Sequence, residues 1–123
     1  MKKYLLLMAL AFGMLNAQAN GQSVKAQSKS LPIIYQRQDS LRIVNLLREA
    51  AQQKAKPKSW MLWFGKKFAG VPYVGGTLDA TKEEQLVVNT RQLDCTTYVE
   101  MVTALTMCAE KKVTSFAAFC NHL

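Results

Sequence analysis

The sequence predicts an α+β chain that is mostly helical, on three observations. Four stretches repeat apolar residues at helical spacing, and each is preceded by a Ser, Thr or Asp able to cap it. One short run, Leu86-Val87-Val88, has strand character. Between the second and third helical stretches, Gly70, Pro72, Gly75 and Gly76 break any regular period, so 70 to about 85 is read as a loop of tight backbone geometry. Half of the 123 residues are hydrophobic and 20% are charged, which excludes a disordered chain and a collagen-like repeat. Three cysteines are too few for a disulfide-dense miniprotein.

The chain opens with the marks of an export signal. Lys2 and Lys3 form a positive start, Tyr4 to Leu15 an almost unbroken apolar run, and Ala17-Gln18-Ala19 a small-x-small triplet with cleavage expected after Ala19. The apolar run is about twelve residues, whereas a membrane span needs roughly twenty. About 104 of the 123 residues then remain to fold, and the formal charge of +8 drops by the two lysines that leave. The expected product is exported to the periplasm or secreted, with no stable membrane span. Asn20 to Ser30 is Gln, Ser, Lys and Gly with a single Val, a composition that reads as a disordered linker. Residues 31–123 make the remaining domain.

Asp39 or Ser40 can cap the first helix, running to about Lys54 with Leu41, Val44, Leu47 and Ala51 on one face. Ser59 can cap a second helix, Trp60 to Phe68, whose Trp60, Trp63, Phe64 and Phe68 suit a core. Asp94 is placed to cap a long third helix from Cys95 to about Glu110. Val99, Val102, Thr106 and Ala109 form its stripe, broadened by Tyr98, Met101, Leu105 and Cys108, so burial on more than one side is expected. Thr114 or Ser115 starts a fourth helix with Phe116 and Phe119 inward.

Cys95 and Cys108 stand thirteen residues apart on one helix, roughly 20 Å along its axis, and cannot bridge. Cys108 could reach Cys120, but nothing forces that pairing and both read better as small apolar core residues. Lysines and arginines are spread along the chain without a nucleic-acid motif, which argues against nucleic-acid binding. The positive surface suits anionic wall polymers and a membrane surface equally.

Chemistry concentrates at Cys95. At the first turn of a helix, unpaired amide N–H groups and the positive end of the helix dipole favour the thiolate, which is the nucleophilic form. The same amides can donate to an oxyanion when a carbonyl is attacked. Glycines at 75 and 76 let a backbone approach closely, and the Tyr73 hydroxyl can point at the same cleft.

Two motifs in order, Gly70-x-Pro-Tyr73-Val-Gly-Gly-Thr-Leu and Leu86-Val-Val-Asn-x-Arg-x-Leu-Asp94-Cys95-Thr-Thr-Tyr-Val-Glu100, resemble the N-acetylmuramoyl-L-alanine amidase-like family of exported bacterial proteins. That family is a branch of the NlpC-type, papain-like cell-wall peptidases, and the resemblance covers roughly Trp60 to Leu123. It implies a papain-like α+β hydrolase, of which this chain is the mostly helical N-terminal half. It implies Cys95 as nucleophile, Tyr73 as a cleft residue holding substrate or oxyanion, and Asp94 as both cap and substrate-recognition residue. Thr96 and Thr97 would be scaffold, and Glu100 scaffold near the cleft. The implied reaction is hydrolysis of the amide between the muramoyl lactyl group and L-alanine in peptidoglycan fragments, through an acyl-enzyme and with no metal or cofactor.

The family's base is a histidine on a strand well downstream of the nucleophile helix. The single histidine here, His122, lies 27 residues past Cys95 in the fourth helical stretch, at a position read as solvent-facing, and is not expected to be that base. The expectation is therefore a truncated domain whose general base lies beyond the chain end and whose exposed apolar face makes it unstable or prone to associate. The alternative is a catalytically inactive fragment or wall-binding remnant of the same family.

Overall fold

A computed structural model describes residues 31–79 and 82–123, so the expected signal and linker lie outside the described residues. In chain order the elements are β1 (Ile33–Tyr35), α1 (Arg37–Ala51), α2 (Trp60–Lys67), β2 (Leu86–Val88), α3 (Cys95–Glu110) and α4 (Phe116–Cys120). No helix among the described residues is long and apolar enough to cross a membrane.

Helix α3 is the element the others pack on, with α2, α1 and α4 all against it. Its Met101, Val102, Ala104, Leu105 and Cys108 are buried, and they meet Ile43 and Leu47 of α1, Phe64 of α2 and Phe119 of α4 in one apolar cluster. Phe64, Ile43, Leu105, Cys108 and Phe119 are wholly excluded from solvent. Each large side chain so buried contributes about 1.5–3 kcal/mol. The four-aromatic α2 region packs internally: Trp60 lies edge-on to Trp63 with ring centroids 5.6 Å apart and stacks with Phe64 at 5.7 Å.

The local chemistry explains three helix starts. Ser59 Oγ accepts from the Leu62 N–H at 3.3 Å, Asp94 Oδ1 from the Thr97 N–H at 2.8 Å, and Ser115 Oγ from the Ala118 N–H at 3.1 Å. The first helix departs from expectation. It begins at Arg37 with Gln36 as N-cap and ends at Ala51, while Asp39 sits inside the first turn and reaches back so that Oδ2 accepts the Gln36 N–H at 2.9 Å. Its buried face is Asp39, Ile43, Leu46, Leu47 and Ala50, whereas Leu41 is 51% exposed. The inward-pointing Asp39 carboxylate sets this rotation, and Ile43, Leu46, Leu47 and Ala50 follow it at helical spacing.

Strand β1, not anticipated from the sequence, pairs in parallel with β2, matching Ile33 to Leu86 and Tyr35 to Val88. On α3, Val99 is 53% exposed and Tyr98 is exposed as well, so the stripe expected to start at Val99 is displaced toward Met101 and Ala104. Met101, Ala104 and Leu105 join the shared core, while the Tyr98 hydroxyl lies against Gly65 of α2. Cys108 and Cys120 are buried free thiols rather than a disulfide.

Candidate active site

The loop into α3 is fixed before the helix begins. Asn89 Oδ1 accepts the backbone N–H groups of Arg91 and Gln92 at 3.0 and 3.1 Å, a local turn that brings the chain around toward Leu93. Thr90 is held from α1: Asp39 Oδ1 accepts its N–H at 2.9 Å and its hydroxyl at 2.8 Å. Arg91 Nε approaches the same oxygen at 3.3 Å. Arg42, one turn along α1, donates to the carbonyls of Thr90 at 2.9 Å and Lys67 at 3.0 Å and lies over the Phe68 ring. One carboxylate and one guanidinium thus tie α1, the end of α2 and the approach to Cys95 together.

Burial of Asp39 pushes its carboxyl up, but the Thr90 and Gln36 N–H groups, the Thr90 hydroxyl and Arg91 outweigh it and leave the pKa below its ordinary 3.8. Sequence reasoning read Asp39 as a cap and missed this network. The available signal was its position four residues before Ile43, on the stripe that continues through Leu47 and Ala50, where a carboxylate needs buried partners.

Asp94 and Thr97 cap α3 reciprocally. The Thr97 N–H and hydroxyl both donate to Asp94 Oδ1, and Thr97 Oγ1 accepts the Asp94 N–H at 2.9 Å. These two Thr97 donors, with a smaller contribution from the Thr96 N–H, hold the Asp94 carboxyl below its ordinary value. Cys95 follows as the first helical residue, exposed and unpaired with any other cysteine. Its own backbone N–H makes no hydrogen bond among the described residues.

The two sequence motifs meet here. Tyr73 and Leu93 form a parallel bridge in which the Val74 N–H donates to the Leu93 carbonyl at 3.1 Å and the Leu93 N–H to the Pro72 carbonyl at 3.2 Å. The Gly-Val-Pro-Tyr-Val segment therefore runs alongside the residues immediately before Asp94 and Cys95. Tyr73 itself is 73% exposed, so its ring is available to a ligand rather than used in the core. Gly76 has φ of 73°, a conformation that other residues adopt only with strain. At Gly75 a Cβ would meet nothing within 4 Å, so the close backbone approach expected there is not seen among the described residues. Thr77 and Leu78 continue to a shallow recess that Thr97 and Glu100 also line, on the first turns of α3.

Residues 63–123 match the AmiA-like, N-acetylmuramoyl-L-alanine amidase-like family model. No curated protein and no solved structure matches the chain significantly. The amidase-like segment takes in most of α2, the Tyr73 motif, and all of α3 and α4. It leaves Asp39 and Arg42 outside, although these residues hold its loop.

Within the amidase-like segment Cys95 is exposed, whereas Cys108 and Cys120 are buried. Burial pushes the Cys108 thiol up, and burial with the neighbouring Cys108 pushes Cys120 up to about 11, so both are poor nucleophiles at neutral pH. His122 lies in the turn after α4 rather than within a helix, half-buried, with Nε2 at 3.4 Å from Lys111 Nζ. Lys111 closes the C-terminal end of α3 and Cys95 opens it, a separation of about 24 Å along the axis. Among the described residues the hydrogen-bond partner of the His122 ring is Lys111, and no hydrogen bond joins it to Cys95, although Leu123 beside it reaches the recess lined by Thr97 and Glu100. Among the described residues no cluster of three His, Cys, Asp or Glu is gathered for a metal ion.

Proposed function

We propose that this protein is a peptidoglycan-fragment amidase in which Cys95 is the nucleophile, within a papain-like, NlpC-type arrangement and in an exported setting. The carrying observation is the bridge between Tyr73 and Leu93, which sets the tyrosine motif beside an exposed cysteine at the head of a capped helix. The amidase-like match over 63–123 supports the substrate class, the muramoyl–L-alanine amide of peptidoglycan fragments.

In this reading the Cys95 sulfur attacks the lactyl carbonyl carbon, forming a C–S bond as the carbonyl oxygen takes negative charge. The Cys95 N–H donates to that oxygen, and the Tyr73 hydroxyl adds a second donor or holds the fragment. The C–N bond then breaks, the L-alanine amine leaves with a proton, and water hydrolyses the thioester. Asp94 keeps the helix start rigid and, at the cleft edge, meets polar groups of the stem peptide. The proton acceptor is a group other than His122.

The position of His122 favours one other reading, a wall-fragment-binding module that keeps the cleft without turnover. Incubating the chain with an anhydromuramoyl peptide and measuring free stem peptide separates the two. Release that disappears in Cys95→Ala supports the amidase. Binding without release, equal in wild type and Cys95→Ala, supports the module.

A further inference from the structure

Helix α2 carries a surface that the proposed amidase chemistry does not use. Trp60 and Phe64 turn into the core, which leaves Met61 42% and Leu62 67% exposed, with Trp63 half-buried beside them. Lys66 stands one helical turn after Leu62 on the same face, and Lys58, Leu62, Trp63 and Lys66 border one open cleft. Residues 50–78 contain five lysines and no acid. Lys56 pairs with Glu110 and Lys67 with Glu49, while Lys54, Lys58 and Lys66 make no ion pair among the described residues.

An exposed Leu62 bordered by the unpaired Lys58 and Lys66, with exposed Met61 next to it in the chain, fits a surface that offers both anionic charge and an apolar layer. A soluble polyanion would satisfy the lysines and leave Leu62 and Met61 in water. The boundary of an anionic bilayer satisfies both: headgroup phosphates meet the lysines, the two apolar side chains enter the acyl margin, and Trp63 suits the level between. We propose that the α2 face docks the protein peripherally onto an anionic lipid bilayer.

Both tryptophans of the chain lie in α2, Trp63 beside this face and Trp60 in the core beneath it, so intrinsic fluorescence reports α2 even though residues 4–15 are themselves apolar. The full chain is titrated with phosphatidylglycerol-containing vesicles and with pure phosphatidylcholine vesicles, each carrying brominated acyl chains. A blue shift with quenching is expected on the anionic vesicles alone. Replacing Lys58 and Lys66 with Gln weakens binding by about twenty-fivefold, since each lysine near such a surface contributes about fivefold. Leu62→Asp abolishes the quenching, and the milder Leu62→Ala weakens it several-fold with an unchanged circular dichroism spectrum. Equal quenching on neutral vesicles, quenching indifferent to both Leu62 variants, no change on any vesicle, or the same spectral change with dextran sulfate would each overturn the proposal.

Discussion

The Asp39 carboxylate accepts both the backbone N–H and the hydroxyl of Thr90, at 2.9 and 2.8 Å, in a position wholly closed to solvent. Thr90 lies five residues before Cys95, so a residue of α1 sets where the loop to Cys95 leaves β2. Removing the carboxylate strands a buried N–H and hydroxyl, and a buried group left without its partner costs more than the net value of the bond.

Asp39→Ala is accordingly expected to lower unfolding stability by on the order of 3 kcal/mol, and Asp39→Asn by less because an acceptor remains. A urea-denaturation cycle combining Asp39→Ala with Thr90→Val is expected to give a coupling of about 1–2 kcal/mol. Additive effects of the two substitutions would show that the pair does not act as a unit.

Acid should loosen the fold through Asp39 and Asp94. Both have folded pKa values below 3.8, so the unfolded chain binds more protons, and their contribution is present above that value and lost as pH falls through the folded pKa. The urea midpoint is expected to hold above about pH 5 and to fall below about pH 4. Asp94→Asn, which keeps a capping side chain without the charge, should flatten part of that fall. A midpoint that rises on acidification would contradict the sign.

Only Cys95 is exposed among the three cysteines, and Cys108 and Cys120 are buried. A disulfide reagent should therefore modify one thiol in the native chain, identified by peptide mapping as Cys95. The other two are expected to react at least about a hundredfold more slowly, because the core must open first. Rapid modification of all three would mean that α3 and α4 do not pack as described.

Tyr73 is exposed and lies outside the core, so Tyr73→Phe should leave the denaturation midpoint within about 0.5 kcal/mol of wild type. If its hydroxyl donates to the developing oxyanion, turnover of a muramoyl peptide falls on the order of a hundredfold. Loss of stability without loss of turnover would make the residue structural.

What the sequence discloses follows from how local each cause is. Ser59, Asp94 and Ser115 cap their helices by reaching three residues ahead, and a chain position suffices to read that. The aromatic spacing of α2 and the β-branched Val87-Val88 run are equally local. Strand β1 escapes because Ile33–Tyr35 becomes a strand only by pairing with Leu86–Val88, some fifty residues away. The face of α1 was misplaced because apolar Leu41 outranked charged Asp39 in a hydrophobic pattern, and only the distant Thr90 and Arg91 make a buried carboxylate affordable there. At the candidate site, the motifs name Cys95, Asp94 and Tyr73, whereas their adjacency depends on the Leu93 bridge, a contact across twenty residues.

The most direct measurement of the account is the covalent state of Cys95 during reaction. The chain is mixed with an anhydromuramoyl peptide, quenched in acid and mapped by mass spectrometry. The account predicts a muramoyl thioester on the peptide containing Cys95, together with free stem peptide, and neither in Cys95→Ala. Stem peptide released at the wild-type rate by Cys95→Ala, or a muramoyl group recovered on another residue, would contradict it.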